Sequence, residues 1–507
     1  MTDIDWDAAG TAGFESLSQR LSENARKFPN QRALSYEGAS ITYAELDTAT
    51  TRFAVGLHSR MTAAGSSVAV CSATTDAAVL VFLGTLRAGC IPVLLATSST
   101  GEQLISMIAD SEAAMVFVDE ESAGKLGQCG TPLFPIERLK DFLAPVGSVL
   151  PDICVSPDSP FDIIYSSGTT GRPKGIVHSH SMRIAQIKAS DGMGLAGAVA
   201  VIATPIYSNT TMAILLPTLA TGGVAVIHRK FDARRLLEAA ELERATHVML
   251  VPVQYDRIMA LPDFDEFDLS AFRMKFSTGA PFTPALKADV LRRWPGELVE
   301  IYAMTEGGGT ALLMASEFPN KLHTVGLPAP GSDIRIIDPS DAELPRGAIG
   351  EVVGRSSMMM TGYHRRDVET GSVAWYDSEG NRFIRHGDLG MFDEDGFLIL
   401  MGRTKDMIIS GGFNLYPQDI ENVMMEHPGV REAAVIGVDS ATWGETPFGY
   451  YVPSYDDPGA DRLLDWVNRR VGKTQRLSGI RMLSKLPRSA IGKVLKRELR
   501  EMHDATP

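Results

Sequence analysis

The fold of this chain can be inferred from one stretch, Tyr165-Ser-Ser-Gly-Thr-Thr-Gly-Arg-Pro-Lys174-Gly-Ile-Val-His-Ser-His180. Apolar residues before it, from Phe161 to Tyr165, predict a buried strand, and Gly175 to His178 predict a second one. The polar residues between the two strands must therefore form a loop. Hydroxyl groups, flexible glycines and a lysine ammonium are groups that bind phosphate. The candidate phosphate-binding residues are Ser166, Ser167, Gly168, Thr169, Thr170 and Lys174.

Two other interpretations of this loop fit less well. An ordinary surface turn needs one or two glycines, whereas this loop combines three glycines with four hydroxyls, an arginine and a lysine. A Walker P-loop needs Gly-Lys followed by Ser or Thr. Here Lys174 follows Pro173 and precedes Gly175, and the Gly472-Lys-Thr sequence has Val467 where the first Walker glycine would stand. The loop is therefore predicted to bind phosphate in another way.

The composition is that of an ordinary α/β protein with more than one domain. The chain has 507 residues, of which 44% are hydrophobic, and its formal net charge is -14. This charge argues against sequence-independent binding to nucleic acid or to an anionic membrane. The acidic N-terminus lacks the regions of a signal peptide, which predicts a cytoplasmic protein without membrane insertion. The longest apolar run, 77–96, contains Arg87, Gly89 and Pro92, and is predicted to be a core helix and a strand.

The order of elements predicts sheets covered by helices. Strands at 67–71, 91–95 and 114–118 alternate with helices at 77–88 and 102–110, and the same rhythm resumes from 199 to 251. Residues 120–160 show little periodicity and are predicted to be connecting structure. Short strands and turns from 326 to 354 predict a small β subdomain. The four cysteines form no Cys-x-x-Cys pair, which predicts reduced, mostly buried thiols and no zinc site.

Two further motifs follow short β-type runs. The first offers a small surface for a flat ring and comprises Gly279, Ala280 and Pro281. In the second, Tyr302 provides a stacking face for adenine beside Ala303, Thr305 a hydroxyl towards phosphate, and Glu306 a carboxylate for Mg²⁺. Alone, Thr305-Glu306 would more often be a helix-capping pair. The preceding phosphate loop favours the nucleotide interpretation.

A hairpin is predicted around Asp395-Gly396, a typical turn sequence. Folding at this turn brings Asp388 and Arg403 to the same open end. A carboxylate can accept hydrogen bonds from both ribose hydroxyls, and a guanidinium can reach ribose or phosphate. Taken alone, the pair would be a surface salt bridge.

The four motifs above and a fifth, Pro487-Arg-Ser-Ala-Ile-Gly492-Lys493, resemble in this order those of the adenylate-forming superfamily, which comprises acyl-CoA synthetases, peptide-synthetase adenylation domains and luciferases. The chain departs from the family at Ala303, where Gly is usual, and at Asn209, near the place of a His. The resemblance implies an N-terminal domain, 1–402, of two βα-layered sheets and a small β subdomain. A hinge at 403–406 with Lys405 as the pivot and a mobile α+β lid, 407–507, complete the implied α/β architecture.

The resemblance also implies a two-step reaction with ATP, Mg²⁺ and coenzyme A. An acid is first activated as an acyl-adenylate and then transferred to the thiol. The implied catalytic residues are Lys493, Thr305, Glu306 and Arg403. Candidates for coenzyme A are Gly411, Gly412, Trp443, Lys473 and Arg476. A stand-alone adenylation enzyme that loads a carrier-protein thiol and a nucleotide-binding regulator without turnover are the alternatives.

The acid itself is predicted from the residues expected around it. These are Tyr207, Ser208, Asn209, Gln254, Ser277, Gly307 and Thr310, within the segments 207–211, 253–255, 277–280 and 307–312. None of them is charged, whereas an amino-acid substrate would need a buried carboxylate for its ammonium. Three glycines at 307–309 suggest room for a ring. The sequence therefore predicts an uncharged acyl body that is aromatic, alicyclic or a larger ring system, with medium-chain fatty acids as the alternative.

Overall fold

The computed structural model describes residues 14–60, 62–127, 129–166, 173–410, 413–440, 442–489 and 492–505. The chain forms two compact units. The first comprises residues 1–323, 328–333 and 354–384, and the second comprises 324–327, 334–353 and 385–507. The predicted boundary at the hinge 403–406 stays a prediction, because the compactness of a unit does not report its movement.

Twelve of the described helices and most of the described strands belong to the first unit. Its helices are α1 (Leu17–Lys27), α2 (Tyr43–Ser59), α3 (Asp76–Arg87), α4 (Gly101–Asp110), α5 (Glu120–Leu126), α6 (Leu139–Phe142), α7 (His180–Ala189), α8 (Asn209–Ala220), α9 (Ala233–Leu242), α10 (Pro252–Met259), α11 (Pro284–Arg293) and α12 (Asp367–Ser372). Its first strands are β1 (Arg32–Tyr36), β2 (Ala39–Thr42), β3 (Ser67–Cys71), β4 (Ile91–Leu94), β5 (Met115–Val118), β6 (Leu133–Pro135), β7 (Pro160–Ser166), β8 (Lys174–Ser179), β9 (Val199–Ile202), β10 (Val224–Ile227), β11 (His247–Leu250), β12 (Met274–Thr278), β13 (Glu297–Tyr302) and β14 (Ala311–Met314).

The later strands are divided between the two units. They are β15 (Leu327–Pro328), β16 (Asp333–Ile337), β17 (Gly350–Arg355), β18 (Gly362–Tyr363), β19 (Ala374–Tyr376), β20 (Arg382–Phe392), β21 (Leu398–Arg403), β22 (Ile408–Ser410), β23 (Phe413–Leu415), β24 (Val430–Ser440), β25 (Gly444–Pro453) and β26 (Ile480–Met482). The remaining helices are α13 (Pro417–Met425), α14 (Ala460–Asn468) and α15 (Lys496–Asp504).

Two mainly parallel sheets form the body of the first unit, which confirms the predicted layering. One has the order β14-β13-β12-β11-β9-β10-β1-β2 within this unit, and the other has the order β18-β8-β7-β4-β3-β5-β6. Their inner faces share an apolar core that includes Phe53, Phe82 and Phe161. Because open sheets bind ligands at the carboxyl ends of parallel strands, the loops after β9, β12 and β13 are the places to look for a site.

Local sequence accounts for most of these elements. Thr42 and Thr75 cap α2 and α3 by accepting a hydrogen bond from the backbone of the third helical residue. The apolar run at 77–96 divides into α3 and β4, as predicted, and among the described helices none is long and apolar enough to cross a membrane.

Two expectations were wrong in part. Residues 120–160 contain α5, α6 and the edge strand β6, which are too short for periodicity to reveal. Of the four thiols, Cys71 and Cys90 are buried, whereas Cys154 is exposed and Cys129 half-buried, so the expectation of mostly buried thiols holds for two of them.

In the second unit β21 pairs with the last residues of β20 as an antiparallel hairpin. A separate sheet has the order β23-β22-β25-β24, with β26 beside β25, and α13 and α14 pack on its apolar face. Leu499 of α15 packs against a second cluster with Ile436 and Tyr450. This unit therefore has the α+β composition that the sequence predicts for the C-terminal part of the chain.

Candidate active site

The predicted phosphate loop connects the antiparallel strands β7 and β8. Ser166 ends β7, Lys174 begins β8, and the two residues are partners in register, so each strand reaches one residue further than predicted. The candidates Ser167, Gly168, Thr169 and Thr170 lie outside the described residues. The Lys174 ammonium nitrogen lies 5.0 Å from the ring centroid of Tyr363, whose strand β18 pairs with β8. A cation–π contact of this kind orients the Lys174 side chain.

Tyr363 also forms a hydrogen bond with Glu306, the residue predicted to bind Mg²⁺. Its hydroxyl donates a hydrogen bond of 2.9 Å to Oε1 of Glu306. Burial, and then the charge of Glu306, raise the pKa of Tyr363 well above its usual value, so the hydroxyl stays protonated and remains a donor. Tyr363 was not predicted from the sequence, because the dipeptide Gly362-Tyr363 carries no chemical signal by itself.

The residues around Glu306 fit a Mg²⁺ ion that accompanies ATP. Tyr363 occupies one oxygen of Glu306, which leaves the other oxygen as a ligand. Within the part of the chain that the structure describes, no three His, Cys, Asp or Glu side chains form a metal-binding group. Mg²⁺ is commonly held by one or two carboxylates together with phosphate oxygens and water. A single carboxylate is therefore compatible with this ion when ATP supplies the other ligands.

The two nucleotide motifs lie at one edge of the larger sheet. Strands β12 and β13 are parallel neighbours, and Thr278, the last residue of β12, pairs with Ile301, one residue before β13 ends. Gly279, Ala280 and Pro281 follow the first strand, and Ala303 to Glu306 follow the second, after Tyr302. Gly279 has φ +87°, a left-handed conformation that favours glycine. The structure thus brings together the residues predicted to contact the adenine and the phosphates.

A buried polar network connects strands β7 and β8 to the residues after β13 and to the start of α8. The carboxylate of Asp162 in β7 contacts His178 Nδ1 at 2.6 Å and accepts a hydrogen bond of 2.7 Å from Arg183 of α7. His178 Nε2 lies 2.8 Å from the carbonyl oxygen of Thr305, and Arg183 Nη1 donates to Asn209 Oδ1 at 2.8 Å. Asp162, His178 and Arg183 are all 0% exposed.

Charge compensation explains how this network tolerates burial. Desolvation alone would raise the pKa of Asp162, but the charges of Arg183 and His178 outweigh it and keep the pKa below its usual value. The sequence analysis missed Asp162 and Arg183. The available signal was a charged residue in the middle of the apolar run Phe161-Asp-Ile-Ile164.

The predicted acid-binding residues divide into two groups. Tyr207 is half-buried and packs against the core between the sheets, and the Ser208 side chain caps α8 by accepting from Thr210. By contrast, Ser277 pairs in register with Glu300, which forms a buried ion pair with Lys287 of α11, so its side chain faces α11. The structure therefore does not bring Ser277 together with Tyr207. The Ser277 hydroxyl is buried and has no hydrogen-bond partner among the described residues.

Gln254 and Tyr255 have structural contacts that the sequence did not suggest. The Gln254 amide accepts from Val251 N at 3.0 Å and donates to Ala203 O at 3.3 Å, which leaves one N–H for any other partner. Tyr255 is 0% exposed, donates to Phe276 O at 2.8 Å and stacks on Phe282. The prediction that Tyr255 lines the acid pocket is wrong, because its ring and hydroxyl are part of the core under α10.

The glycine at 307 has a different cause from the one predicted. A Cβ atom on Gly307 would lie 2.0 Å from the carbonyl oxygen of Met358, and its φ is +83°. The Gly308 carbonyl accepts a hydrogen bond from the buried Ser356 hydroxyl. Gly307 is therefore required by close backbone packing, and it is no evidence for a wide pocket. Thr310 is fixed through its backbone by Ser332 and Ala329.

The second unit brings together the residues predicted to act on ribose and on the acid. Asp388 and Arg403 are register partners in the hairpin, and Arg403 Nε lies 2.7 Å from Asp388 Oδ1. The backbone carbonyl of Lys493 accepts a hydrogen bond from Ser489 N. Solvent reaches Lys493, yet the surrounding protein lowers its pKa to about 8, chiefly by desolvation and then through the charge of Arg403, against the opposing charge of Asp388.

Lys405 lies in a short 3₁₀ turn, Thr404–Asp406, directly after β21. Desolvation lowers the pKa of Lys405 as well. Asp406, in the same turn, accepts a hydrogen bond of 3.1 Å from Arg500 of α15. The role of Lys405 as the pivot stays a prediction.

The candidates for coenzyme A lie in the same unit. Trp443 is 50% exposed at the turn between β24 and β25, and Lys473 and Arg476 are also exposed. Gly411 and Gly412 lie outside the described residues. Their contact with coenzyme A stays a prediction.

Comparison with known proteins identifies the family. A model of the AMP-binding enzyme family matches residues 21–364, and a model of the C-terminal domain of AMP-binding enzymes matches residues 419–493. This chain belongs to the AMP-binding enzymes. A feruloyl-CoA synthase of Amycolatopsis sp is 31% identical over 496 residues, which cover 94% of this chain and 96% of that protein.

Two further similarities cover nearly the whole chain. An indoleacetate–CoA ligase of Aromatoleum aromaticum is 29% identical over 509 residues, 96% of this chain and 98% of that protein. The crystal structure of ATP-bound MatB from Rhodopseudomonas palustris matches 96% of this chain and 99% of its own with a TM-score of 0.86 and 28% identity. The large N-terminal and smaller C-terminal parts are confirmed, and the chain is an AMP-forming acid–thiol ligase. A regulator without turnover is thereby disfavoured.

Proposed function

We propose that this enzyme converts an uncharged, ring-bearing carboxylic acid into its coenzyme A thioester through an acyl-adenylate. In the first step a carboxylate oxygen attacks the α-phosphorus of ATP. The new bond joins that oxygen to phosphorus, and the bond from the α-phosphorus to the bridging oxygen breaks, so pyrophosphate leaves with both electrons of that bond. Positioning and charge neutralisation dominate the catalysis of such displacements.

The residues of this chain have distinct tasks in that step. Lys493 neutralises the carboxylate and the α-phosphate, Arg403 and Asp388 hold the ribose, and Tyr302 stacks on the adenine. Glu306, oriented by Tyr363, holds Mg²⁺, which supplies charge neutralisation on the phosphates when it is bound. The hairpin residues from Ser166 to Lys174 bind the outer phosphates. The observed ion pair between Arg403 and Asp388 at 2.7 Å supports this assignment, because it preorganises both groups.

In the second step the thiolate of coenzyme A attacks the acyl carbonyl carbon. The bond from that carbon to the AMP oxygen breaks, and AMP leaves as a phosphate anion. An acyl-adenylate hydrolyses in water, so the reaction needs a cover over the site. We expect the residues 407–507 to supply that cover and to bring Gly411 and Gly412 beside the thiol after rotation about Lys405.

The choice of acid depends mainly on the charge around Asn209. Arg183, the charged side chain that donates to Asn209, is 0% exposed and is paired with Asp162 at 2.7 Å. The segment 207–211, which contains Asn209, has no charged residue. An ammonium or a second carboxylate on the acid would therefore be buried without a partner, which is costly. The names of the feruloyl-CoA and indoleacetate relatives favour a ring.

A panel of acids tests this proposal. Pyrophosphate release would be measured with ATP, Mg²⁺ and ferulate, indole-3-acetate, cyclohexanecarboxylate, octanoate, succinate, acetate or phenylalanine. We expect the ring acids to have the highest kcat/KM, with octanoate next. A panel led by acetate, succinate or phenylalanine would contradict the pocket assignment.

The thiol acceptor requires a separate measurement. The best acid would be supplied with coenzyme A or with a phosphopantetheinyl carrier protein, and thioester formation would be followed. Preference for coenzyme A supports the proposed function, and preference for the carrier supports the stand-alone adenylation alternative.

A further inference from the structure

A charged network lies where two strands and a helix of the first unit would ordinarily have an apolar interior. Asp162, His178 and Arg183 are each 0% exposed, and they lie on β7, β8 and α7. Their neighbours include Phe161 of β7, and the centroid of its ring lies 6.0 Å from the Arg183 guanidinium. Burying three ionisable groups costs free energy that apolar residues would not. A functional role would account for their presence.

The protons of the network follow from its geometry. His178 faces the Asp162 carboxylate with Nδ1 and the Thr305 carbonyl with Nε2, at 2.6 and 2.8 Å. The Thr305 carbonyl can only accept, so Nε2 donates its proton to it, whereas Nδ1 lies between the Asp162 carboxylate and Arg183 Nη2, which is 3.0 Å away. Arg183 uses the second oxygen of Asp162. One carboxylate thus fixes the positions of both side chains.

The outer ends of the network reach two loops of the active site. His178 donates to the backbone carbonyl of Thr305, directly before Glu306. Arg183 Nη1 donates to Asn209 Oδ1, at the start of α8, and to Gln186 Oε1, both at 2.8 Å. Because a guanidinium has no acceptor, the Asn209 amide must turn its oxygen towards Arg183. Its NH₂ group then points away from Arg183, and it donates to no other residue among those described.

We propose that Asp162, His178 and Arg183 are positioning residues that present the Asn209 NH₂ group to the acid and fix the Thr305-Glu306 backbone for ATP. The network aligns the two reactants through one rigid support. This inference rests on the proposed function in one respect, namely that the acid lies beside Asn209. An amide held in one orientation offers two donors to an oxygen of the acid without losing rotational freedom on binding.

The first test is Asn209→Asp. Arg183 still pairs with one oxygen, now of a carboxylate, while the second oxygen replaces the NH₂ group. A donor becomes an anion facing the acid, so KM for the best acid of the panel should rise about tenfold or more, with KM for ATP changed less than about twofold. Thermal unfolding should occur at the same temperature or higher. An unchanged KM for the acid would overturn the assignment of Asn209.

The second test separates positioning from stability. Arg183→Leu alone removes the guanidinium that pairs with the buried Asp162 carboxylate and is expected to lower the melting temperature or prevent folding. The triple variant Asp162→Val, His178→Leu, Arg183→Leu restores an uncharged interior and should melt at the wild-type temperature or above. It should nevertheless lose about 30-fold in kcat/KM for pyrophosphate release, because both loops lose their support. Wild-type kcat/KM in the folded triple variant would show that the network is structural only.

These outcomes are distinguishable from failure of the proposed function. If no acid of the panel supports pyrophosphate release by the wild-type enzyme, the substrate proposal fails first. Melting temperatures of the single and triple variants still test the charge-compensation part of the inference. If the wild-type enzyme is active and both tests give wild-type kinetics, the positioning role alone is wrong.

Discussion

Lys493 lies in a cluster of charged side chains, and its own charge depends on its protonation state. Desolvation lowers the pKa of Lys493 to about 8, and the charges of Arg403, Asp388, Lys405 and Asp406 contribute less. If Lys493 acts on the carboxylate and the α-phosphate, Lys493→Ala should lose pyrophosphate release by about a hundredfold or more, the range of a lost electrostatic contact. The same variant should still transfer a supplied acyl-adenylate to coenzyme A. Equal loss of both half-reactions would contradict the assignment.

The pH dependence provides a control for this prediction. The charged form of Lys493 is present below its pKa and is lost as the pH rises through about 8. Therefore kcat/KM for pyrophosphate release, measured without coenzyme A, should fall above about pH 8, because this ratio reports the free enzyme. Lys493→Arg stays charged, so its kcat/KM should not fall above about pH 8 even if its activity is low.

Tyr363 orients Glu306 by a single hydrogen bond of 2.9 Å. Tyr363→Phe removes the hydroxyl but keeps the ring under Lys174. A typical hydrogen bond contributes about 1 kcal/mol, and KM for MgATP should rise about fivefold to tenfold while KM for the acid stays constant. Tyr376→Phe, at a side chain that is 60% exposed, serves as the matched control. A larger effect on the acid than on MgATP would argue that Tyr363 has another role.

At the scale of elements, the turn after β21 is the predicted pivot. Lys405 occupies the middle of the 3₁₀ turn Thr404–Asp406. Proline fixes φ and restricts the residue before it, so Lys405→Pro should impair thioester formation more than pyrophosphate release. Stopped-flow measurement of both half-reactions would check this.

Lys405→Ala separates the backbone from the side chain. Alanine leaves the turn free to rotate, so thioester formation should be faster in Lys405→Ala than in Lys405→Pro. Equal rates in the two variants would place the pivot elsewhere.

Elements whose residues alternate or carry caps were predicted well from the sequence. The hairpin at Asp395-Gly396 brings Asp388 and Arg403 together as predicted, because turn chemistry and strand alternation are local properties. The position of the loops after β9, β12 and β13 was also predictable, since parallel strands end at the same edge. The roles of the side chains in these loops were harder to predict.

The remaining features depend on contacts between distant segments. Tyr363 meets Glu306 across 57 positions, and His178 meets Thr305 across 127. No local pattern indicates such pairs. Gly307 illustrates the same limit, because the carbonyl that excludes a side chain there belongs to Met358. A charge within an apolar run, as at Asp162, is the one local sign that a buried network exists.

At the scale of the whole molecule, buried histidines make folding sensitive to acid. His180 of the first unit is 4% exposed, and its Nδ1 has no partner among the described residues. Desolvation lowers the pKa of His180 to about 4, and the charge of Asp162 opposes this only partly. His386 of the second unit has its pKa lowered to about 4 as well, first by desolvation.

The sign of the effect follows from proton binding. The unfolded chain protonates His180 near its ordinary pKa of about 6.5, whereas the folded chain does so near 4. Between these values the unfolded state binds more protons, so the free energy of unfolding falls as the pH falls from about 6.5 to 4. For His180 the loss amounts to about 2 kcal/mol at pH 5, at 1.36 kcal/mol for each pH unit below 6.5.

His180→Phe should remove the part of this dependence that His180 contributes. The ring of His180 packs edge-on against Phe161 at 5.0 Å between centroids, so a phenylalanine of similar shape should be accommodated. Melting temperatures of the wild type and the variant would be measured from pH 8 to pH 5. The difference between them should be constant above about pH 7 and should shift in favour of the variant below it, by about 2 to 3 °C at pH 5. A difference independent of pH would mean that His180 is not buried in its neutral form.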